Sequence, residues 1–483
     1  MGYAIANLLT NFTVLLTSLT CGMFSAFQLL TFLQETLGHA TCPQSAATDL
    51  SFTGISTDSR TIAAGELFIA LRGDKFDGHR FLRTAQEQGA AGAIVDDQFD
   101  LETIADLTFP LWQVSNTLRA YQALGQSWRG QFPIPIVGVT GSVGKTTTKE
   151  LIAAMLEQGA ESANPGTVLK TQANFNNEIG VPKTLLQLQP HHRYAVIEMA
   201  MRGAGEIAEL TRLAQPTIGV ITNVGVAHIE RLGSREAIAA AKCELLVEMP
   251  ATSTAILNAD NQLLMETAAN CWTGQTLTFG LTAGDIRGQL LDLQTLVVDG
   301  QTFHLPLPGE HNAVNFLAGL AVAQVLGIPW SRLTQLELNL PDGRSQRYTL
   351  PNDILLLDET YNAGPESMAA ALKLLMQTPG QRHLAVLGTM KELGYRSLGF
   401  HQEIGQMVKT LNPDRLYVLA DQPETEALAT EADPVPALIF ESHEALTEQL
   451  CADLQPGDRV LFKASRSVAL DRVVQQVLAQ LSN

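Results

Sequence analysis

The sequence predicts an α/β fold divided into three domains. Short apolar runs rich in β-branched residues alternate with helical segments through most of the chain, which is typical of parallel sheets covered by helices on both faces. Phe-Pro-Ile-Pro at residues 132–135 and Pro-Asp-Gly at 341–343 interrupt that alternation and indicate two boundaries. We therefore expect a small N-terminal α/β domain over residues 23–132, a central parallel-sheet domain over 133–341 and a Rossmann-like domain over 342–483.

Composition limits the classes of function. The chain has 483 residues, of which 46% are hydrophobic and 17% charged, so it is long and apolar enough to form several cores. Its net charge of −18 excludes a broad nucleic-acid footprint. An anionic ligand must therefore be held by local basic residues and backbone N–H groups.

The cysteines indicate a reducing compartment. There are five of them, at Cys21, Cys42, Cys243, Cys271 and Cys451. The odd count and wide spacing favour neither a disulfide framework nor a zinc site. We expect a cytoplasmic protein.

The first residues have an unusual composition. Residues 1–34 carry no charged side chain, and polar residues interrupt the apolar stretch. A secretory signal requires a positively charged start, and a transmembrane helix requires a longer apolar run. We interpret residues 1–22 as an N-terminal extension upstream of Met23, with weak membrane association as the alternative.

The apolar runs locate the strands. In the N-terminal domain we predict a helix over residues 24–37 and strands over 66–71 and 92–95. The central domain is predicted to have strands over residues 136–140, 194–197, 218–222 and 255–257. The C-terminal domain is predicted to have strands over residues 354–357, 384–387, 416–419 and 460–462.

A glycine-rich turn lies between the strand at residues 136–140 and a helix. Its sequence is Thr140-Gly141-Ser142-Val143-Gly144-Lys145-Thr146-Thr147. Glycines let successive backbone N–H groups point inward, and a helix N-terminus adds partial positive charge for phosphates. In such a phosphate-binding loop, Lys145 reaches the β- and γ-phosphates of ATP and the Thr146 hydroxyl ligates Mg²⁺. The usual first glycine of the motif is replaced by Val139, so the strict pattern fails at one residue.

Three side chains near predicted strand ends and helices are further candidates. Glu198 follows the strand at residues 194–197, where the ligand crevice of a parallel sheet lies, and a carboxylate there can hold Mg²⁺. His228 follows the next strand and could ligate a metal, although a lone histidine is more often structural. Lys242 lies in a predicted helix over residues 234–249, where spacing alone indicates an ordinary helix lysine.

Taken together, these segments resemble the Mur ligase family, and the resemblance extends over nearly all of the chain after Met23. The family's Thr-Gly-Ser-x-Gly-Lys-Thr loop also accounts for the shortened glycine spacing. The matching segments are residues 57–60, 73–79, 140–147, 174–182, 198–199, 223–233, 241–244, 309–312, 358–365, 386–394 and 463–467.

The resemblance implies a site for ATP and two Mg²⁺ ions. The implied nucleotide-binding residues are Gly141, Ser142, Val143, Gly144, Lys145, Thr146, Thr147, Asn312 and Arg344. The implied catalytic residues are Lys145, His228, Lys242, Arg344 and Asp358. The implied metal-binding residues are Thr146, Glu198, His228 and Lys242. Lys242 matches the family lysine that CO₂ carbamylates.

The resemblance also implies the substrates. It favours the family member that joins D-alanyl-D-alanine to UDP-N-acetylmuramoyl-tripeptide through an acyl phosphate during peptidoglycan precursor synthesis, acting as a monomer. Ser59 and Arg60 would hold the uridine diphosphate. Residues along the peptide path would be Asn176, Asn177, Glu178, Tyr361 and Asn362. The third peptide residue is left open between diaminopimelate and lysine.

Three positions depart from the family pattern. Gly364 stands where Asn is usual, Thr389 where Asp is usual and Ala464 where Gly is usual, and all three bear on the dipeptide pocket more than on the ATP site. The nearest alternatives are the sibling ligase that adds the third peptide residue and a folylpolyglutamate synthase-like ligase. An Asp-Asn-Pro-Arg string, usual in the former, does not occur. A P-loop ATPase that drives conformational work would explain residues 141–147 but not the first domain or the segment at residues 358–365. An inactive membrane-tethered binding module is suggested only by the first 34 residues, and the intact Lys145, Thr146 and Glu198 argue against it.

Overall fold

A computed structural model describes the backbone of most of the chain. The described residues are 23–38, 40–41, 50–73, 76–159, 166–338, 340, 343–419 and 423–481. Residues 1–22 of the predicted extension and residues 341–342 of the second predicted boundary lie outside them. The chain divides into two compact units, one comprising Met1–Phe132 with Leu185–Leu188 and the other Pro133–Thr184 with Gln189–Asn483. The domain boundaries themselves stay predictions.

The first unit is built on a five-stranded sheet with helices on its faces. The strand order is Ala40–Thr41, Leu111–Val114, Gly92–Asp96, Leu67–Ile69 and Ile55–Ser56. Only Ala40–Thr41 is antiparallel to its neighbour. Two small antiparallel pairs join Phe24–Ser25 to Ser51–Phe52 and Arg72–Gly73 to Phe76–Asp77. The helices are Ala26–Leu37, Leu82–Glu87 and Thr117–Arg129, with 3₁₀ turns at Gly78–Phe81 and Leu101–Ile104.

Alternating side chains of this sheet enter two different cores. Leu67 and Ile69 pack with Trp112 and Tyr121 on one face, whereas Phe68 packs with other residues on the opposite face. A strand whose successive side chains are all buried must be covered on both faces. The sheet is therefore the middle layer of this unit.

The central domain carries a nine-stranded sheet. The order is Val168–Lys170, Tyr194–Glu198, Ile136–Thr140, Ile218–Ile221, Thr254–Asn258, Gln275–Gly280, Ile286–Leu290, Thr295–Val298 and Gln301–His304. Seven strands run parallel, and the last two form an antiparallel extension at one edge. The predicted parallel sheet is observed in these seven strands, and the antiparallel edge was not predicted. Thr295–Val298 and Gln301–His304 are joined by Asp299 and Gly300, both at positive φ, as a tight hairpin requires.

Helices cover both faces of this central sheet. They are Lys145–Gly159, Gly180–Leu185, Glu206–Ala214, Ile229–Leu232, Arg235–Glu248, Gln262–Cys271 and Glu310–Val325, with a 3₁₀ turn at Trp330–Arg332. Lys145–Gly159 packs closely on Glu310–Val325, and a Cβ at Gly319 would lie 2.7 Å from Met155 Sδ. The glycine thus allows the helix that follows the phosphate loop to be held against its neighbour.

The C-terminal domain is a second α/β layer structure. Its strand order is Gln346–Leu350, Ile354–Asp358, Asp458–Lys463, Arg382–Leu387, Arg415–Leu419 and Ala437–Phe440. Only Gln346–Leu350 pairs antiparallel. The helices are Pro365–Gln377, Ser397–Leu411, Pro423–Glu431, His443–Asp453 and Asp471–Leu481, with 3₁₀ turns at Pro351–Asp353, Gly394–Arg396 and Arg466–Val468. None of the helices in the described part of the chain combines the length and hydrophobicity of a membrane span.

Candidate active site

The phosphate loop forms the bend predicted from its glycines. Gly141 and Gly144 have φ values of 154° and 81°, and the helix Lys145–Gly159 begins directly after them. A Cβ at Gly141 would lie 1.9 Å from Thr222 Oγ1, and one at Gly144 would lie 2.6 Å from Asn315 Oδ1. Any side chain at either position would therefore displace a neighbour, so the loop depends on glycine twice.

The loop is braced by the segment that follows the strand Ile218–Ile221. The backbone N–H of Val143 donates to Asn223 Oδ1 at 3.0 Å, and Thr222 Oγ1 donates to the Val143 carbonyl at 2.7 Å. The Ser142 hydroxyl accepts from the N–H of Gly225 at 2.9 Å. These hydrogen bonds of Ser142 and Val143 therefore stabilise the conformation of the loop.

Lys145 lies over this loop. Its Nζ donates to the carbonyl oxygens of Gly141 at 2.8 Å and Ser142 at 3.2 Å. Burial lowers the pKa of the Lys145 ammonium, the Glu198 carboxylate opposes that shift and Arg344 adds to it. These carbonyls hold the ammonium at the place where a phosphate would compete for it.

Glu198 is joined to the first helical turn. Thr146 Oγ1 donates to Glu198 Oε2 at 2.8 Å, and Asn176 Nδ2 donates to Glu198 Oε1 at 2.8 Å. Glu198 is the last residue of the strand Tyr194–Glu198 and is only 2% exposed. Three residues predicted separately thus share one cluster of oxygen ligands, with Asn176 orienting the carboxylate.

A buried lysine missed by the sequence analysis lies behind this cluster. Lys149 has no exposed surface, and its Nζ lies 3.9 Å from Glu198 Oε2 and 2.8 Å from Glu150 Oε1. It also donates to the Thr171 carbonyl at 2.7 Å, and Thr171 Oγ1 accepts from the N–H of Glu198. From the sequence, Lys149 is an ordinary helix lysine four residues after Lys145. Only the structure shows that it is buried next to Glu198.

His228 lies at the contact between the central and C-terminal domains. It precedes the helix Ile229–Leu232 in a left-handed conformation, with φ 66° and ψ 22°. Its Nδ1 is 2.8 Å from Glu392 Oε2, which lies before the 3₁₀ turn Gly394–Arg396. Glu392 was not among the predicted residues, and its proximity to His228 has no signal in the sequence.

Lys242 is buried, which its spacing in the sequence did not reveal. It is 1% exposed in the middle of the helix Arg235–Glu248. Burial lowers its pKa well below the usual value of 10.5, and the nearby charge of Lys145 lowers it further. Burial and the neighbouring charge of Lys145 therefore both disfavour the charged form of the Lys242 amine.

The predicted nucleotide residues outside the loop lie in two places. Asn312 is buried in the first turn of Glu310–Val325, and its Nδ2 donates to the Pro308 carbonyl at 2.9 Å. The Arg344 guanidinium stacks on the Tyr361 ring, 3.6 Å from its centroid. Thr147 is half-buried in the helix that follows the loop.

Asp358 ends the strand Ile354–Asp358 and is 3% exposed. It accepts from the N–H and the hydroxyl of Thr360 at 3.0 and 2.6 Å, while burial raises the pKa of its carboxyl. Close by, Lys463 Nζ donates to the Asn362 carbonyl at 3.0 Å. Burial lowers the pKa of Lys463, with Glu359 opposing that shift. Lys463 is therefore a further buried cation of this site that the sequence analysis left without a role.

Two predicted substrate residues have local structural partners. Asn177 Oδ1 accepts from the N–H of Gly180 at 2.9 Å and so stabilises the start of the helix Gly180–Leu185. The Glu178 carboxylate lies 3.8 Å from the Arg202 guanidinium. The peptide-binding roles of Asn177 and Glu178 stay predictions.

In the first unit, Ser59 and Arg60 differ in exposure. Ser59 is buried at 5%, whereas the Arg60 side chain is 84% exposed and forms an ion pair with Asp58 at 2.7 Å. The pairing aligns two guanidinium N–H groups with the carboxylate of Asp58. Arg60 must therefore exchange or share this partner to bind a diphosphate.

The oxygen ligands fit a Mg²⁺ ion that is also bound by phosphates. Thr146 and Glu198 provide the hard oxygens that Mg²⁺ prefers, next to a loop shaped for phosphate. Among the residues that the structure describes, no group of three or more His, Cys, Asp or Glu side chains forms a complete metal site. Mg²⁺ is commonly held by one or two protein oxygen ligands together with substrate phosphates, and Thr146 and Glu198 fit that pattern.

Comparison with known proteins identifies the family. Three family models match in order: "Mur ligase family, catalytic domain" at residues 51–127, "Mur ligase middle domain" at 139–323 and "Mur ligase, glutamate ligase domain" at 343–466. These matches confirm the three-domain α/β architecture predicted from the sequence.

Curated relatives and solved structures indicate the same family. The UDP-N-acetylmuramoyl-tripeptide–D-alanyl-D-alanine ligase of Synechocystis sp. is 52% identical, covering 94% of this chain and 98% of the relative. The enzyme of the same name from Escherichia coli is 35% identical over 88% of this chain and 94% of its own length.

Among solved structures, MurF from Acinetobacter baumannii has a TM-score of 0.81 and 28% identity, covering 93% of this chain and 98% of that chain. MurF ligase from Thermotoga maritima in complex with ADP has a TM-score of 0.77 and 30% identity, covering 89% and 98%. Both the sequence motifs and the fold are thus shared over almost the full length, and the chain belongs to the Mur ligase family, in its MurF branch.

Proposed function

We propose that this chain is an ATP-dependent carboxylate–amine ligase that adds D-alanyl-D-alanine to UDP-N-acetylmuramoyl-tripeptide in peptidoglycan precursor synthesis. The observation that carries the proposal is the phosphate loop with Thr146 bound to Glu198 beside it, in a chain 52% identical to an enzyme of that name. The third-residue and folate-type ligases are disfavoured because the relatives of high coverage carry the D-alanyl-D-alanine name.

The chemistry begins with activation of a carboxylate. The terminal carboxylate of the tripeptide attacks the γ-phosphorus of ATP, which gives an acyl phosphate and ADP. Such a transfer depends mainly on positioning and on neutralising charge at the phosphate oxygens. Lys145 and the backbone N–H groups of residues 141–147 would bind those oxygens. Asn312 would contact the adenine, while Arg344 and Asp358 would reach the nucleotide from the C-terminal domain.

The second step forms the amide. The amine of D-alanyl-D-alanine attacks the acyl carbon, a proton is lost from nitrogen, and the tetrahedral intermediate expels phosphate. Water would otherwise hydrolyse the acyl phosphate, so the domains must exclude it. Ser59 and Arg60 would bind the uridine diphosphate of the substrate. The remaining substrate residues of this proposal are Asn176, Asn177, Glu178, Tyr361 and Asn362.

Two Mg²⁺ ions would neutralise phosphate charge when bound. Thr146 and Glu198 would hold one, and His228 with Lys242 would serve the other. The neutral Lys242 amine can add to CO₂ to give a carbamate and one released proton. The charge of Lys145 disfavours an ammonium at Lys242 and would attract the anionic carbamate, and this is the physical support for carbamylation here.

We also propose a cytoplasmic monomer. Cys243, Cys271 and Cys451 are free thiols, in keeping with a reducing compartment.

Product mass tests the function directly. Purified protein is incubated with ATP, Mg²⁺, D-alanyl-D-alanine and UDP-N-acetylmuramoyl-tripeptide carrying either diaminopimelate or lysine. The expected product is the tripeptide extended by one dipeptide, with release of ADP and phosphate. Lys145→Ala should lose turnover. ATP hydrolysis that proceeds equally without dipeptide, or normal ligation by Lys145→Ala, would contradict the proposal.

A further inference from the structure

One segment contacts both the phosphate loop and the C-terminal domain. We call residues 222–228 the bridging loop. At its start, Asn223 Oδ1 accepts from the N–H of Val143, and the N–H of Gly225 donates to Ser142 Oγ. Further along, the same loop meets two carboxylates of the C-terminal domain, Glu366 and Glu392. The bridging loop therefore connects the phosphate loop to the C-terminal domain by direct contacts.

Glu366 contacts the backbone of the bridging loop. It lies in the first turn of Pro365–Gln377, and its Oε1 accepts from the N–H of Val226 at 2.7 Å. A Cβ at Gly225 would lie 2.4 Å from the same oxygen, so glycine is needed for the carboxylate to approach. Glu366 Oε2 is buried without a hydrogen-bond partner among the described residues, which costs stability. The contact is thus poorly explained as a device for stability alone.

Glu392 contacts the other end of the bridging loop. Its Oε2 is 2.8 Å from His228 Nδ1, which is an ion-pair distance, although Nδ1 has no hydrogen-bond partner among the described residues. Both residues have positive φ, 63° for Glu392 and 66° for His228, although neither is glycine. Such conformations persist only where the surroundings hold them, and they concentrate at functional sites. The adjoining backbones are close as well, since a Cβ at Gly394 would lie 3.0 Å from Glu230 Cγ.

We propose that Glu366 and Glu392 are positioning residues that hold the bridging loop when the C-terminal domain is docked. Contacts through Ser142, Asn223 and His228 then keep the phosphate loop in the conformation needed for phosphoryl transfer. The inference rests on the proposed function for its kinetic consequence. Its structural consequence, the dependence of the bridging loop on two carboxylates of another domain, can be measured separately.

The test compares variants that remove or keep the accepting oxygen. Glu366→Ala and Glu392→Ala remove the carboxylates, whereas Glu366→Gln keeps an oxygen that can accept from the N–H of Val226 and Glu392→Gln keeps a polar side chain that can reach His228 Nδ1. Glu403→Gln is the control, because Glu403 is exposed on the helix Ser397–Leu411. Each full-length protein is assayed for kcat and for KM of ATP. Hydrogen–deuterium exchange of the bridging loop is followed with and without a non-hydrolysable ATP analogue and Mg²⁺.

In the alanine variants we expect kcat to fall roughly tenfold with little change in KM, as for loss of one charge-assisted hydrogen bond. Nucleotide-dependent protection of the bridging loop should also be lost. The glutamine variants should recover most of both, and Glu403→Gln should match the wild type. Wild-type kcat and protection in both alanine variants would overturn the inference, as would glutamine variants as impaired as the alanine ones. Failure of wild-type protein to ligate would refute the proposed function instead, while the exchange measurement would still decide the positioning role.

Discussion

Replacement of Gly144 by alanine should weaken ATP binding while the protein still folds. At φ 81° an L-residue costs about 1–2 kcal/mol relative to glycine. The added Cβ would lie 2.6 Å from Asn315 Oδ1, and overpacking of this kind costs roughly 1–3 kcal/mol more. Because the loop can escape both costs only by leaving its phosphate-binding conformation, the strain should appear mainly as lost affinity.

The sum is about 2–5 kcal/mol, which corresponds to a dissociation constant for ATP raised roughly 30-fold or more. Isothermal titration calorimetry with ATP and Mg²⁺ measures it. Asn315→Ala should relieve the steric part, so the double variant should bind ATP about tenfold more tightly than Gly144→Ala. Asn315→Ala alone loses the bond from Thr148 Oγ1, worth about 1 kcal/mol of stability.

Gly327→Ala is the matched control. Its φ is 70°, and a Cβ there meets no atom within 4 Å among the described residues. It should lose about 1 kcal/mol of stability and keep the ATP dissociation constant within twofold. A folded Gly144→Ala protein that binds ATP with wild-type affinity would refute the reasoning.

Three further predictions concern buried polar groups. Burial lowers the pKa of Lys242 well below 10.5, so between the folded pKa and 10.5 the unfolded chain binds more protons and stability falls as pH falls. Lys242→Met should therefore raise the Tm of CO₂-free protein by an amount that grows as pH decreases through that window; a constant difference would contradict this. His79 is 3% exposed and contacts Asp77 through Nδ1 at 2.6 Å, so His79→Ala should cost about 2–4 kcal/mol, seen by calorimetry as earlier unfolding with ATP affinity unchanged. Arg382→Met leaves the fully buried Asp458 without the guanidinium that donates two hydrogen bonds to it, and should lower the free energy of unfolding in urea by about 3–5 kcal/mol. If adding Asp458→Asn recovers none of this stability, the loss does not have an electrostatic origin.

Much of the fold could be predicted because its signals are local. The strand predicted over residues 136–140 is the observed Ile136–Thr140, and the helix with Leu151, Ile152 and Met155 on one face buries all three. Strand ends were displaced by one or two residues, as for Tyr194–Glu198, where Glu198 itself is the last strand residue. The antiparallel edge of the central sheet was missed, because pairing partners are chosen by long-range packing and not by the apolar run itself.

The candidate site divides in the same way. The phosphate loop follows from glycine, lysine and threonine at fixed spacing. The burial of Lys149 and Lys242 does not, because their helices carry these lysines among residues whose spacing alone does not reveal what packs opposite.

The motifs of the sequence indicated the Mur ligase family. The sequence by itself also predicted the strands at residues 136–140, 194–197, 218–222 and 255–257 and the bend at Gly141 and Gly144. These depend on backbone preferences and apolar spacing within a few residues. Only the tertiary structure decided that Asn176 orients Glu198 and that Glu392 meets His228. Such contacts join residues 22 and more than 100 positions apart, and their free energy exists only once the sheets and domains have brought the side chains within hydrogen-bonding distance.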